Sequence, residues 1–248
     1  MDPDTDIGGP LHCFPVTNHS AIVGARSDDQ TTRRRAFDTI LTSYWKPAYK
    51  YIRLKWQAGN EDAKDLTQGF FANAFEKNHF AAYDATKASF QTFLRTCLDG
   101  FVTNERKAGR RLKRGGDMDH YQLDFVTAEN ELRAHAAATD LTPEDYFHRE
   151  WVRWMFTLAV DALRRRCEES GRSVHFQLFE RYDLSDDANV SYASLAEEFG
   201  LEPAAVNNYL AAVRRDFRRV VLDKLREITA TDEEFRTEAR SLLGVNVK

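Results

Sequence analysis

The sequence predicts an all-α fold, and three observations carry that prediction. Glycine and proline are scarce, 12 and 6 in 248 residues, about 7% together against a usual sum of roughly 12%. Charged residues make up 30% of the chain and hydrophobic ones 42%, the mixture that amphipathic helices need. Apolar residues recur three or four apart through most of the chain, and no stretch reads as a credible strand. The length supplies core for one large domain or two small ones. The expected architecture is two small helical domains joined by a polar linker.

Residues 1–30 hold Gly8-Gly9-Pro10, Pro15 and scattered Ser, Thr, Asn and Asp without a period. They read as a flexible N-terminal extension, 1–32. Helical texture starts near Thr31. Phe37, Ile40, Leu41, Tyr44, Ala48 and Tyr51 share one helical face, and Pro47 is expected to kink or divide that helix. Gly59-Asn60 is a turn. Glu61, Asp62 and Asp65 then place acids where a helix N-terminus favours negative charge. Ala63, Leu66, Phe70 and Ala74 form the apolar face of this helix, with Phe71 and Phe75 beside it. A loop near Phe80–Lys87 precedes a helix carrying Phe90, Phe93, Leu94, Cys97 and Phe101. It runs into a basic segment, Asn104 to Arg114, with six basic residues against one acid in eleven. Gly115-Gly116 closes a first domain, 33–114.

Residues 115–141 are mostly polar and acidic and read as the linker, with room for a short helix, Thr127–Ala138. Thr142-Pro143-Glu144-Asp145 is a strong helix start, with Thr as N-cap, Pro at the first helical position and acids after. That helix continues through Arg166 with Trp151, Trp154, Met155, Leu158 and Leu163, and Ser170-Gly171 stops it. Another covers Val174–Tyr182, and Asp183–Val190 is a polar loop. Ser191 caps a short helix, Tyr192–Phe199. Gly200-Leu201-Glu202 is a tight turn, and Pro203 opens a longer helix. Val206, Leu210, Val213, Phe217, Val220 or Val221, and Leu225 lie on its one apolar face. These elements form a second domain, 142–228. Thr231-Asp-Glu-Glu234 has capping-box spacing and starts a tail helix in 229–248.

Composition bounds the function. The three cysteines, Cys13, Cys97 and Cys167, are far apart and odd in number, so a disulfide framework is not expected and a reducing compartment fits. No apolar run approaches the roughly 18 residues of a membrane span. The first residues, Met1-Asp-Pro-Asp-Thr-Asp, are acidic where a signal peptide is basic. A soluble cytoplasmic protein without membrane contact is expected. There is no Gly-rich phosphate loop, HExxH or GxSxG. His148 and Glu150 make an H-x-E without the P-C-x-x-C of a zinc deaminase. The seven histidines are scattered, so neither catalytic residues nor a metal or cofactor is expected.

Three constellations remain. Helix, glycine turn and proline-started helix at 191–225 fit a helix-turn-helix, or alternatively an ordinary helical hairpin. In the former, the residues meeting base edges are Ala204, Ala205, Asn207, Asn208 and Tyr209, because the start of the second helix enters the major groove. Asn pairs with adenine edges, small Ala permits close approach, and Arg214, Arg215, Arg218 and Arg219 suit phosphates or a partner. In the segment 83–114, Phe90, Thr92, Phe93, Arg95 and Phe101 precede the basic run, a pattern that suits unpaired bases and backbone. Phe93 and Phe101 share the face of Leu94 and Cys97 and equally suit a core. Glu61, Asp62, Asp65 and Gln68 share one helix surface, which helix-dipole stabilisation already explains.

The order of these stretches resembles one family. Tyr44-Trp-Lys-Pro-Ala-Tyr-Lys-Tyr51, Glu61-Asp-Ala-Lys-Asp-Leu-Thr-Gln68 and Tyr83-Asp-Ala-Thr-Lys-Ala-Ser-Phe-Gln-Thr-Phe-Leu-Arg95 come first. A basic helix end, a linker and the helix-turn-helix follow. Over about residues 33–228 the chain is similar to the extracytoplasmic-function (ECF) sigma factors of bacterial RNA polymerase, in the sigma-70 family. Such proteins hold two helical domains, region 2 and region 4. The resemblance implies that Glu61, Asp62, Asp65, Leu66, Gln68 and Phe71 dock on the β′ clamp coiled coil of core RNA polymerase. It implies that Phe90, Thr92, Phe93, Arg95, Asn104, Arg106, Lys107, Arg110 and Arg111 melt and read the −10 element of promoter DNA. Ala204, Ala205, Asn207, Asn208, Tyr209, Arg214 and Arg215 then read the −35 element, with region 4 near the β flap. An anti-sigma factor or a Ser/Thr kinase would be a regulator, with Ser20, Ser27, Thr31, Thr32 and Thr67 as acceptors.

The chain departs from the family in places. Gly100 stands where Asn is frequent, which passes base reading to Asn104. Asn207, Tyr209 and Ala211-Ala212 replace basic residues. The segment 168–190 is long and lacks a Leu-Pro-x-x-x-Arg opening. The rival expectations are a stand-alone dimeric helix-turn-helix regulator and a helical adaptor that binds no DNA.

Overall fold

The computed structural model describes residues 20–109, 122–136, 141–185, 187 and 189–244. Among the described residues there are ten α-helices, one 3-10 turn and no strand. The expected N-terminal extension up to residue 19, the basic run from Arg110 to Arg114, Cys13 and Gly115-Gly116 lie outside the described residues.

Ordered structure begins before the expected start. Helix α1 (Ala21–Gly24) buries Ala21 and Ile22. A Cβ at Gly24 would sit 3.1 Å from Ala36 Cβ, so glycine lets α1 approach the next helix closely. Helix α2 (Gln30–Lys55) is capped by Asp29, whose Oδ2 accepts from the Thr32 N–H at 2.7 Å. It is continuous across Pro47. Proline inside a helix costs about 3 kcal/mol, and packing outweighs that here. Every residue from Ser43 to Ile52 is buried, because α1, α3, α5 and α6 surround this helix. The polar groups in that stretch therefore need internal partners. Ser43 Oγ donates to Thr39 O at 2.8 Å. Lys46 Nζ pairs with Glu131 at 2.6 Å, and Lys50 Nζ with Glu131 and Glu150 at 2.8 and 2.5 Å. Arg153 closes this network on Glu150 at 2.7 Å. The cluster lines a cavity of about 480 Å³.

Helix α3 (Asn60–Glu76) and α4 (Phe90–Ala108) flank a 3-10 turn, His79–Ala82. Ser89 caps α4, and Gly109 ends it at φ +56°, a backbone angle that favours glycine. Phe37, Phe70, Phe71, Phe80 and Phe90 form an aromatic core with Tyr44 and Tyr83.

The region expected to be a linker contains helix α5 (Phe125–Ala136), which packs on α2. It starts two residues before the expected Thr127, because Asp124 Oδ1 accepts from the Thr127 N–H at 3.0 Å. Phe125, Ala128 and Leu132 are buried at helical spacing. Glu129 reaches Arg53 and Tyr49, and Glu131 reaches the two lysines. The segment is therefore part of the first core rather than a separator.

Helix α6 (Pro143–Glu169) has the expected Thr142 cap, accepting from the Asp145 N–H. Its first half, with Tyr146, Phe147, Trp151, Met155 and Ala159, is buried, and most of these side chains enter the first core. Leu163 and Cys167 belong to a second. Helix α7 (Ser173–Asp183), α8 (Tyr192–Phe199) and α9 (Pro203–Glu227) complete the second core around Phe176, Leu178, Leu195, Val206, Leu210 and Val213. The C-terminal half of α9 returns to the first core through Val220, Val221 and Leu225, as does helix α10 (Asp232–Leu243) through Phe235 and Ala239. The chain thus carries two apolar clusters bridged by α6 and α9, which pack along each other. These contacts do not establish the expected pair of domains joined by a polar linker.

Candidate nucleic-acid interface

The helix, glycine turn and proline-started helix expected at 191–225 are present as α8 and α9, an arrangement that a helix-turn-helix and an ordinary helical hairpin share. Ser191 and Ser194 form a reciprocal cap at the start of α8. Gly200 adopts φ +63°, and the Leu201 N–H closes the helix end on Ala196 O at 2.9 Å. Pro203 at the first position of α9 follows, with its missing N–H where no partner is needed. Val206, Leu210 and Val213 face the second core. Ala204, Asn207 and Asn208 are exposed and Ala205 is half-buried. Ala204, Asn208, Arg215 and Arg218 fall four, seven and three apart on one solvent-facing stripe. Arg215 and Arg218 make no ion pair among the described residues.

Two residues expected to read DNA have other contacts. Arg214 forms a bidentate pair with Asp183 (2.8 Å for Nη2 to Oδ1), touches Tyr192 Oη and lies 5.3 Å over the Tyr182 ring. The Asp183 hydrogen bonds raise its pKa. Arg214 fastens α9 to α7 and α8 and is not free for phosphate. Tyr209 stacks on His175 at 4.0 Å and 18°. That ring holds α9 against α7. Burial, and secondarily the charge of Arg172, lowers the His175 pKa, so the stack is made by a neutral imidazole near neutral pH.

On α4, Thr92, Asn104 and Lys107 are exposed. Arg106 lies 5.0 Å over Trp56 and donates to its carbonyl. Arg95 is half-buried with its guanidinium 5.8 Å from the Phe147 ring, and its Nε has no hydrogen-bond partner. Phe90, expected among the residues that meet the −10 element, lies in the aromatic core. It is 1% exposed, with rings of Tyr44, Phe80 and Tyr83 at 5.4, 5.8 and 5.1 Å. Phe93 is half-buried against Tyr83, and Phe101 against Phe70. Arg110 and Arg111 lie outside the described residues.

On α3, Glu61 and Asp62 are exposed and Asp65 and Gln68 half-buried. Lys64 neutralises Glu61 in part at 2.7 Å. Leu66 and Phe71 are buried, Phe71 against Phe37 and Phe70. Both, expected among the docking residues, pack inward and hold the helix. Thr67 is fully buried and donates to Ala63 O at 2.7 Å, so a kinase does not reach it in this structure.

Sequence reasoning missed Glu234 and Glu238 of α10, which meet the start of α4. Glu234 carries a helix-start signal, and Thr231 does cap α10. Nothing local indicates that the Glu234 carboxylate accepts from Tyr83 and Phe90, 151 and 144 residues away. It also missed Asp183, His175 and Glu129, whose partners are remote in sequence.

Among the described residues, no three His, Cys, Asp or Glu side chains group as a metal site, and no helix is long and apolar enough to cross a membrane. Compared with models of protein families, with curated proteins and with solved structures, the chain gives no match.

Proposed function

We propose that this chain is a sigma factor, which binds core RNA polymerase and selects promoters. The observation that carries the reading is the α8–α9 unit, whose recognition helix exposes Ala204, Asn207, Asn208, Arg215 and Arg218 along one stripe while its other face is core. The exposed acids Glu61 and Asp62 of α3 and the exposed Thr92, Asn104 and Lys107 of α4 support the same reading. In it, α3 docks on the β′ coiled coil, α4 meets the −10 strand and α9 enters the major groove at the −35 element. The polymerase supplies the chemistry.

The experiment is gel filtration of the chain with bacterial core polymerase, beside Asp62→Lys and Asp65→Lys. Co-elution of the parent, lost in the folded variants, is the expected result. A well-folded chain that does not co-elute overturns the reading. Tight duplex binding without polymerase would then indicate the stand-alone regulator. Indifference of all binding to Arg215→Glu would indicate the adaptor.

A further inference from the structure

The C-terminal helix α10 lies against the start of α4, and the role inferred for it rests on the assignment of α4 to the −10 strand. Glu234 Oε1 accepts from the Tyr83 O–H at 2.8 Å and the Phe90 N–H at 3.0 Å, and its Oε2 accepts from the Ala230 N–H at 2.8 Å. Glu238 accepts from Gln91 Nε2 at 3.3 Å, and the far side of that amide contacts His148 Nδ1 at 3.0 Å. Tyr83 and Gln91, which meet these carboxyl groups through their side chains, are 2% and 7% exposed, while the Phe90 ring is already enclosed by Tyr44, Phe80 and Tyr83. We infer that α10 is an autoinhibitory latch: docked, it closes the Tyr83–Arg95 surface to an unpaired DNA strand, and its release opens that surface.

The fully buried apolar hold of α10 is Phe235 and Ala239, with Leu242 and Leu243 packed part-buried beside them. Its outer face, with Asp232, Glu233, Arg236 and Thr237, is exposed, and a short joint ties it to α9. Its inner face sets the Glu234 and Glu238 carboxyl groups one helical turn apart over the start of α4, so the docked helix excludes a strand there by volume.

The test uses holoenzyme assembled from the full chain and core polymerase, with a promoter library as template. Gln91→Cys with Glu238→Cys, in a Cys13→Ser and Cys97→Ser background, locks α10 down when oxidised across a short dithiol spacer, which spans the reach of the two long side chains it replaces; mass spectrometry verifies the bridge. Phe235→Glu weakens its apolar hold. The oxidised lock is expected to keep core association but lose transcription at least about tenfold, and reduction restores it. Phe235→Glu is expected to bind a labelled single-stranded oligonucleotide more tightly than the parent. Equal transcription by oxidised and reduced protein overturns the latch and leaves the sigma reading standing. Failure of every form to associate with polymerase overturns both.

Discussion

Glu129 decides whether α5 stays on α2. Its carboxylate accepts from Arg53 Nη2 and Nε at 2.8 and 3.0 Å, and from the Tyr49 O–H at 2.7 Å. These bonds, the Arg53 pair foremost, lower its pKa to about 2. A lowered carboxylate pKa contributes stability above the unfolded value, lost as pH falls through about 2. Glu129→Gln leaves the half-buried Arg53 without its anion, which costs about 1–2 kcal/mol, less than the loss of a fully buried pair because solvent reaches the guanidinium. Urea unfolding at pH 7 measures that loss. Glu238 behaves in the opposite sense. Burial, then the charge of Glu234, raises its pKa to about 7. The docked form therefore holds a proton that the released form has given up, and docking weakens as pH rises from the usual carboxylate range to about 7. Glu238→Gln is expected to raise the melting temperature at pH 8 and to match the parent at pH 5. Arg214→Ala and Asp183→Ala are expected to couple by about 1 kcal/mol in a double-mutant cycle. An Arg214 that served DNA alone would show no coupling. Such pairs were not legible in the sequence, because each joins residues from different helices.

At the scale of elements, the local signals were strong. Thr142, Ser191, Pro203 and Thr231 begin helices where their chemistry predicts, because a cap is decided within three residues of itself. Pro47 does not divide α2, for the complementary reason. Its local cost is real, but the burial of Ser43 to Ile52 decides the outcome, and burial depends on helices that come later in the chain. On α9, the face that packs and the face that stays open were both readable from the 3.6-residue period. What the period could not tell was that Tyr209, on the flank, stacks with His175. Under the proposed sigma reading, Asn207→Ala with Asn208→Ala is expected to relax sequence preference at the −35 element, by about 1–3 kcal/mol for each adenine pairing removed. Arg215→Ala is expected to weaken binding to all sequences alike and to flatten its salt dependence. Competition binding against base-substituted duplexes at two salt concentrations separates the two effects.

At the scale of the whole molecule, the arrangement was the least legible part. Apolar stripes were recognised on nearly every helix, but a stripe does not name its partner. Trp151 and Leu163 share α6, yet the first enters one core and the second the other. Phe217 of α9 touches both. Unfolding is therefore expected to be a single transition. Met155→Ala in the first core and Leu210→Ala in the second should each destabilise it by roughly 3 kcal/mol. Two transitions in calorimetry, each sensitive to only one substitution, would instead describe independent domains.

The pairing of α6 with α9 has one more consequence. The two helices hold 27 and 25 residues, rods of about 40 and 37 Å at a rise of 1.5 Å per residue. Under the proposed sigma reading, while they stay packed they act as a caliper with fixed jaws between α4 and the exposed face of α9. Inserting a single base pair between two DNA elements rotates one about the duplex by about a tenth of a turn. A caliper cannot follow that rotation, so the closed molecule accepts one spacing. Tolerance of several spacer lengths in transcription would then measure how readily the α6–α9 seam parts.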